Sequence, residues 1–160
     1  MAGTIARELK QQKPFSSAEE EVLVGLQIAT SRVMEPWTNF LKSTAELTLS
    51  QYNVLRILRG SHPTRLTCGD IVERMIARDP DVTRLLDRLE RSGLVSRVRS
   101  RSDRRVVEVG ITPKGLDLLK TLDPAVDRMP RVMLGHLGPA RLRVLARLLE
   151  AVLKRLGNFP

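Results

Sequence analysis

Apolar residues recur at helical spacing along the first third of the chain. Ser16 and Ser17 precede Glu19 and Glu20, which is the capping pattern of a helix start. Apolar positions then follow at intervals of three and four residues, which predicts one long amphipathic helix. Residues 1–14 mix basic and acidic side chains without such a pattern, so we expect a flexible N-terminal arm there.

Three shorter helices are predicted next. The first begins near Thr48, and the second has Thr67 as its N-cap. The third has Asp79 as N-cap and Pro80 at its first helical position, and it ends at Gly93, a residue type that favours the position after a helix.

The helix from Pro80 has one apolar side and one polar side. Its apolar residues follow the i, i+3, i+4, i+7 spacing of a buried face: Val82, Leu85, Leu86 and Leu89. The outward residues are Asp81, Thr83, Arg84, Asp87, Arg88 and Arg91. This polar side is therefore available to contact a partner.

The periodicity then changes from helical to alternating. Residues 94–100 and 105–111 are short, rich in valine and interleaved with polar positions, which predicts two strands. The polar segment 101–104 lies between them as a turn. A β-hairpin is therefore expected after the fourth helix.

Helical patterning resumes at Thr112 and continues to the end of the chain. Thr112 followed by proline is a helix start, and we expect Pro124 and Pro130 to bend or break the helix. Gly138 opens a last helix with a broad leucine-rich stripe.

This order of elements predicts a mainly α fold with a small β-hairpin wing, a winged helix-turn-helix. In such a unit the helix from Pro80 would enter the major groove of DNA with its N-terminal end first. An arginine-rich hairpin suits the minor groove, where the negative potential attracts arginine.

The charge distribution favours nucleic acid as the partner. The 160 residues carry a net charge of +9, and the pI is near 10.7. Residues 84–105 contain eight arginines, no lysine and three acidic residues. Arginine makes bidentate contacts with phosphates and base edges, so double-stranded DNA is the expected partner, and a solvated charged face is the alternative.

Other function classes receive little support from the sequence. Cys68 is the only cysteine, and the two histidines are far apart, so we expect no disulfide, metal site or cofactor. No nucleophile–base set or phosphate-binding glycine loop points to an enzyme. The chain has no long uncharged apolar run and no signal-like N-terminus, so we expect a cytoplasmic protein without a membrane partner.

Five segments in order resemble the MarR family of bacterial regulators (multiple antibiotic resistance regulators). They are Leu49-Ser-Gln-Tyr-Asn-Val-Leu-Arg-Ile-Leu, Val82-Thr-Arg-Leu-Leu-Asp-Arg-Leu-Glu, Gly93-Leu-Val, Asp103-Arg-Arg and Ile111-Thr-Pro-Lys-Gly. The resemblance implies a homodimer with dimerisation helices at 15–46 and 113–158 and a DNA-binding domain at 47–112. It also implies a pseudo-palindromic operator and, in many members, a repressor released by a small phenolic or anionic ligand.

Pattern and resemblance together nominate residues for DNA contact. They are Thr67, Arg78, Pro80, Asp81, Thr83, Arg84, Arg88, Arg101, Ser102, Asp103, Arg104 and Arg105. Arg101 and Arg104 are the expected wing-tip contacts, and the resemblance implies that Asp103 orients an arginine, for which Arg105 is the candidate. The alternatives are capping alone for Thr67, a surface ion pair for Arg84 and a merely polar hairpin. The segment 78–81 departs from the usual serine- or threonine-rich start of the family's recognition helix.

The resemblance also implies a dimer interface and an effector site. The dimerisation candidates are Val22, Leu26, Leu145, Leu149, Val152 and Leu156. Trp37, Phe40 and Tyr52 would line a pocket for a small aromatic or anionic effector, and core packing is the alternative. A ligand-independent architectural or partner-controlled DNA-binding protein is the competing hypothesis. A closed, fully packed junction between arm and wing would favour it.

Overall fold

The computed structural model describes residues 4–77, 81–100 and 103–157. The chain divides into two compact units, one up to Ile111 and one from Thr112 onwards. The first unit contains helices α1 (Thr4–Glu8), α2 (Ala18–Ala45), α3 (Leu49–Ser61), α4 (Cys68–Arg74) and α5 (Val82–Arg91) and strands β1 (Leu66–Thr67), β2 (Val95–Arg99) and β3 (Val107–Ile111). The second contains α6 (Pro113–Leu134), a 3₁₀ turn (Gly135–Leu137) and α7 (Gly138–Leu156).

The predicted helix starts rest on side-chain caps. Ser17 accepts a hydrogen bond from the backbone N–H of Glu20, and the Glu20 carboxylate accepts from Ser16. Thr48 and Thr67 each form a full capping box with the residue three positions later. These starts are therefore confirmed.

The predicted start of one helix is wrong, and another helix continues past the two prolines that were expected to bend or break it. Helix α5 begins at Val82 rather than Pro80, because Asp81 caps it by accepting from the backbone N–H of Arg84. Helix α6 runs from Pro113 to Leu134 without ending at Pro124 or Pro130. Each proline removes one backbone donor, and the helical residues on both sides are enough to carry the helix past it.

The predicted hairpin is confirmed as a pair of antiparallel strands, β2 and β3, which place Arg97 opposite Val109. The sequence did not predict β1, a strand of two residues that pairs with the other edge of β3. Across this small sheet, Arg65 donates to the carbonyl oxygen and the hydroxyl of Ser96. Gly110 faces this guanidinium, and a Cβ there would lie 3.1 Å from Arg65 Nη1.

The core of the first unit lies between its helices and the sheet. Its fully buried side chains come from α2, α3, α4, α5 and β3, and they include Leu41, Val54, Leu55, Leu58, Ile71, Leu86, Leu89 and Val109. Helix α5 contributes the predicted apolar face, since Val82, Leu85, Leu86 and Leu89 are all buried. The polar side of α5 is thereby turned outward.

The segment expected to be a flexible arm includes a helix. Ala6 of α1 is buried, and Glu8 forms an ion pair with Arg32 on α2. The Arg32 hydrogen bond and charge lower the pKa of the Glu8 carboxyl below its usual value.

Candidate nucleic-acid interface

Helix α5 presents polar and basic side chains beside its N-terminus. Thr83, Arg84 and Arg88 are exposed, while the opposite face of the helix is buried in the core. Helix α5 ends at Arg91, and Gly93, just beyond the C-cap, has a φ of 71°, a conformation that glycine adopts without strain. The outward residues therefore stand on a short, well-anchored helix.

Arg84 forms a surface ion pair with its own helix cap. Its Nε lies 3.0 Å from Asp81 Oδ2, and 78% of the Arg84 side chain is exposed. Such a pair contributes at most about 1 kcal/mol. Arg84 can therefore exchange Asp81 for a stronger anionic or base-edge acceptor at small cost.

A cleft of about 290 Å³ adjoins these residues. It lies between the start of α3 and the start of α5, and Thr48, Ser50, Arg84 and Arg88 are among its lining residues. Hydroxyl groups and guanidinium groups are the donors that commonly contact nucleic-acid phosphates. The surface beside α5 is therefore chemically suited to a sugar–phosphate backbone.

In the hairpin, Asp103 holds Arg105. The carboxylate accepts from Arg105 Nε at 3.1 Å, from Nη2 at 3.1 Å and from its backbone N–H at 2.9 Å. The side-chain bonds, and then the backbone bond, lower the pKa of the Asp103 carboxyl below its usual value of 3.8. The expected pairing is therefore present, and the Arg105 side chain is 91% exposed.

Arg104 is exposed next to this pair. Four other nominated residues lie outside the described residues: Arg78, Pro80, Arg101 and Ser102.

Thr67 uses its donors within its own helix cap. Its hydroxyl donates to Asp70 Oδ2 at 2.7 Å, and its backbone N–H donates to the same oxygen at 2.9 Å. The hydroxyl oxygen also accepts from the backbone N–H of Asp70. This arrangement favours the capping role over a phosphate contact.

Sequence reasoning missed Arg97, which joins the hairpin to α5. Its Nη1 lies 2.6 Å from Asp87 Oδ1, and its Nη2 donates to the carbonyl oxygen of Thr83 at 3.2 Å. Glu90 accepts from the backbone N–H of Arg97 at 3.0 Å. Its position in a valine-rich strand carried no signal for these contacts, because they depend on how the hairpin folds back.

A second candidate site is a pocket of about 240 Å³ between α2, α3 and the segment after α4. Trp37 and Tyr52 both line it, with ring centroids 6.1 Å apart. The guanidinium carbon of Arg56 lies 6.0 Å from the Tyr52 ring centroid. The structure therefore brings together two of the three predicted pocket aromatics, whereas Phe40 does not line this pocket.

Sequence reasoning also missed the pocket residues that follow α4. Met75, Ile76 and Ala77 line it, and the backbone N–H of Ile76 donates to Asn53 Oδ1 at 3.0 Å. Ile76 as a whole residue is 88% exposed. The pocket thus touches the chain segment that leads towards the outward helix α5.

The nominated dimerisation residues are largely exposed in the single chain. No residue of α7 is buried, and Leu149, Val152 and Leu156 are among its exposed apolar side chains. Val22 of α2 is also exposed, whereas Leu26 and Leu145 are partly buried.

The described residues offer neither a metal site nor a membrane-spanning helix. Within residues 4–77, 81–100 and 103–157, no three His, Cys, Asp or Glu side chains form a cluster suited to a metal ion. Over the same part of the chain, none of the helices combines the length and the apolar character needed to cross a membrane.

A family model, a solved structure and a curated protein all match this chain as a transcription regulator. The model of the MarR family matches residues 47–107. The crystal structure of a MarR transcription factor from Planctomyces limnophilus is 40% identical, with a TM-score of 0.65 over 86% of this chain and 98% of that chain. The uncharacterised HTH-type transcriptional regulator YfiV of Bacillus subtilis is 36% identical over 68% of this chain and 66% of that protein.

A further structure concerns the regulation of DNA binding by a small molecule. It is BpsR of Bordetella bronchiseptica, whose DNA binding is regulated by 6-hydroxynicotinic acid. BpsR is 26% identical, with a TM-score of 0.69 over 83% of this chain and 98% of that chain. This chain therefore spans nearly all of both solved relatives and about two thirds of the curated one.

Proposed function

The chain belongs to the MarR family, and from that premise we propose that it is a homodimeric repressor released from its operator by a small phenolic or anionic ligand. Family membership makes it a DNA-binding transcription regulator rather than an enzyme. The proposal adds the oligomeric state, the sign of regulation and the ligand response.

In the proposed complex, α5 lies in the major groove and the hairpin reaches the adjacent minor groove. The observation that carries this is the outward face of α5, where Thr83, Arg84 and Arg88 stand exposed. Arg104 and Arg105, also exposed, would supply the minor-groove contacts of the wing. Arg78 and Arg101 remain candidates from the sequence alone.

A second copy of the chain would cover the apolar face of α7. Leu149, Val152 and Leu156 follow one another at helical spacing and each expose 39% or more of their surface in the single chain. An exposed apolar stripe of this length is typical of a protein interface. In a dimer, the two α5 helices would read half-sites about one DNA turn, 34–36 Å, apart.

The pocket beside Trp37 and Tyr52 is the proposed effector site. Aromatic and apolar side chains line most of it, and Arg56 adds a cation at the Tyr52 ring. A cavity of about 150 Å³ accommodates benzene in another protein, so 240 Å³ is adequate for a single ring with substituents. An open pocket here supports the ligand-responsive hypothesis over the architectural one.

Release from DNA would follow from the position of this pocket. Its lining includes Met75, Ile76 and Ala77, and these residues precede α5 in the chain. A ligand that fits a different arrangement of this segment better would stabilise that arrangement and lower DNA affinity by the same free-energy difference. BpsR, with its DNA binding regulated by 6-hydroxynicotinic acid, supports such a response.

The test is a DNase I footprint of the purified protein on its own upstream DNA, across a salt series, with and without salicylate. We expect protection of an inverted repeat, loss of that protection with ligand, and repression of transcription from the same DNA in vitro. Binding that is uniform across sequences and vanishes steeply with salt would overturn the proposal, because only the positive charge would then be acting.

A further inference from the structure

Arg97 reaches three residues along one side of α5. It contacts the carbonyl oxygen of Thr83 and the carboxylate of Asp87 through its terminal nitrogens, and its Nε lies 3.7 Å from Glu90 Oε2. The three partners are four and three residues apart and therefore share one face of the helix. They span about 10 Å at a rise of about 1.5 Å per residue, which is most of this ten-residue helix.

The Arg97 side chain is better shielded than its partners. It is 21% exposed, compared with 39% for Asp87 and 42% for Glu90. A guanidinium presents several donors in a fixed plane, so the two short contacts of Nη1 with Asp87 and of Nη2 with Thr83 define its orientation. Its neighbour on the same strand face, Arg99, is exposed. The two arginines of β2 therefore have different surroundings.

We propose that Arg97 is a positioning residue for DNA recognition and does not itself contact DNA. It holds the hairpin at a fixed angle to α5, so that the helix and the wing can occupy adjacent grooves of one half-site together. The buried leucines of α5 fix the depth of the helix in the core, and Arg97 fixes its solvent-facing edge to the wing. This inference rests on the proposed roles of α5 and the wing.

Such positioning matters when α5 and the wing bind DNA together. When two binding elements are rigidly joined at the correct spacing, binding of the first makes binding of the second nearly intramolecular. A wing free to rotate would lose part of this advantage, although each element keeps its own contact residues. Loss of Arg97 should therefore reduce binding to the operator more than binding to unrelated DNA.

The first test compares Arg97→Met with Arg99→Met, which removes the same charge from the same strand. Affinities for the footprinted operator and for a scrambled duplex are measured by fluorescence anisotropy across a salt series. For Arg97→Met we expect a loss of about tenfold on the operator, similar to one mismatched base pair, with the salt slope of the native protein. Arg99→Met should weaken both duplexes equally.

Two further variants separate geometry from charge. Arg97→Lys keeps the charge but lacks the planar fork, so we expect it to bind the operator as poorly as Arg97→Met. The double variant Asp87→Asn with Arg97→Met removes a carboxylate and a guanidinium together and should also stay weak. Recovery of operator affinity in either variant would overturn the proposal in favour of simple charge balance. A salt slope lowered by about one unit in Arg97→Met would show a direct phosphate contact instead.

A measurement without DNA tests the same inference if no operator is found. Backbone residual dipolar couplings of α5 and of β2–β3 in the free native protein should fit one alignment tensor. In Arg97→Met the helix and the hairpin should require different tensors, while the thermal unfolding curve remains cooperative. A single tensor for both elements in Arg97→Met would overturn the positioning role. Failure of the proposed function would appear separately, as the absence of an operator footprint with native protein.

Discussion

Asn53 on α3 accepts a hydrogen bond from the backbone N–H of Ile76, with a distance of 3.0 Å between the side-chain oxygen and the nitrogen. Both residues line the pocket that also contains Trp37 and Tyr52. The bond fixes the segment after α4 to the wall of the pocket. It therefore provides a direct link between the proposed effector site and the chain that leads to α5.

We expect Asn53→Ala to bind the operator several-fold more weakly, because the segment before α5 is then held less firmly. A hydrogen bond of this kind is worth about 1 kcal/mol, so the fold should survive. Salicylate should then lower the operator affinity by a smaller factor, since the segment before α5 that the ligand would displace is already less ordered. Anisotropy titrations with and without ligand measure both effects. Asn53→Asp retains the acceptor and is the matched control, and native-like values for Asn53→Ala would contradict the link.

Trp37 is the sole tryptophan of the sequence, and it lines the pocket. Occupation of the pocket by 4-hydroxybenzoate should therefore change the intrinsic fluorescence directly. We expect Arg56→Ala to weaken this binding, because a guanidinium near an aromatic ring favours an aromatic anion. The neutral analogue 4-hydroxybenzyl alcohol should bind more weakly than the acid to the native protein and lose little in Arg56→Ala. Equal affinity of the acid for native protein and Arg56→Ala would exclude Arg56 from ligand binding.

Arg84 is the outward arginine closest to the start of α5, and its partner Asp81 is also the helix cap. If Arg84 reads a base edge, Arg84→Ala should weaken operator binding by about 1–3 kcal/mol and relax the preference at one position. If it contacts phosphate, binding should fall uniformly and the salt slope should drop by about one. Arg91→Ala, at the other end of α5, is the control. Native affinity and specificity in Arg84→Ala would remove Arg84 from the interface.

Most of the fold was predictable from the sequence because its signals are local. Caps at Ser17, Thr48 and Thr67 are short-range hydrogen bonds, and the apolar face of α5 follows from its spacing alone. The predicted start of α5 was wrong because Asp79 and Asp81 are the same residue type, and the sequence alone does not distinguish which of them is the N-cap. Strand β1 was missed because two residues carry no periodicity, and its existence depends on pairing with β3.

The candidate sites were less predictable because their key contacts join distant parts of the chain. Arg97 meets Thr83 across fourteen positions, and Asn53 meets Ile76 across twenty-three. No spacing rule relates such residues before the fold is known. Trp37 and Tyr52 were found through the resemblance, which already contained this tertiary information, whereas Arg56 required the structure.

Asp103 supports a prediction about pH. Its carboxyl pKa is lowered, mainly by the side-chain hydrogen bonds from Arg105. Because the pKa is lowered, the pair stabilises the hairpin at pH values above the ordinary pKa of 3.8. This contribution disappears as the pH falls through the lower pKa of the folded state. In Arg105→Ala, an NMR titration of the Asp103 carboxyl should show the pKa rising towards its ordinary value. Arg104→Ala, which leaves the pair intact, should leave the Asp103 titration unchanged, and identical titrations in both variants would contradict the assignment.

The exposed face of α7 supports a prediction about assembly. Leu149 and Val152 expose 39% and 42% of their surfaces in the single chain. If a second copy covers them, a carboxylate at either position would be buried without a partner, which strongly disfavours association. We therefore expect the double variant Leu149→Asp with Val152→Asp to be monomeric by light scattering and to lose the operator footprint. Ala151→Asp is the control, since Ala151 is exposed and lies about 200° around the helix from Leu149. A double variant that remains dimeric would place the interface elsewhere, and a monomeric native protein would refute the proposed dimer.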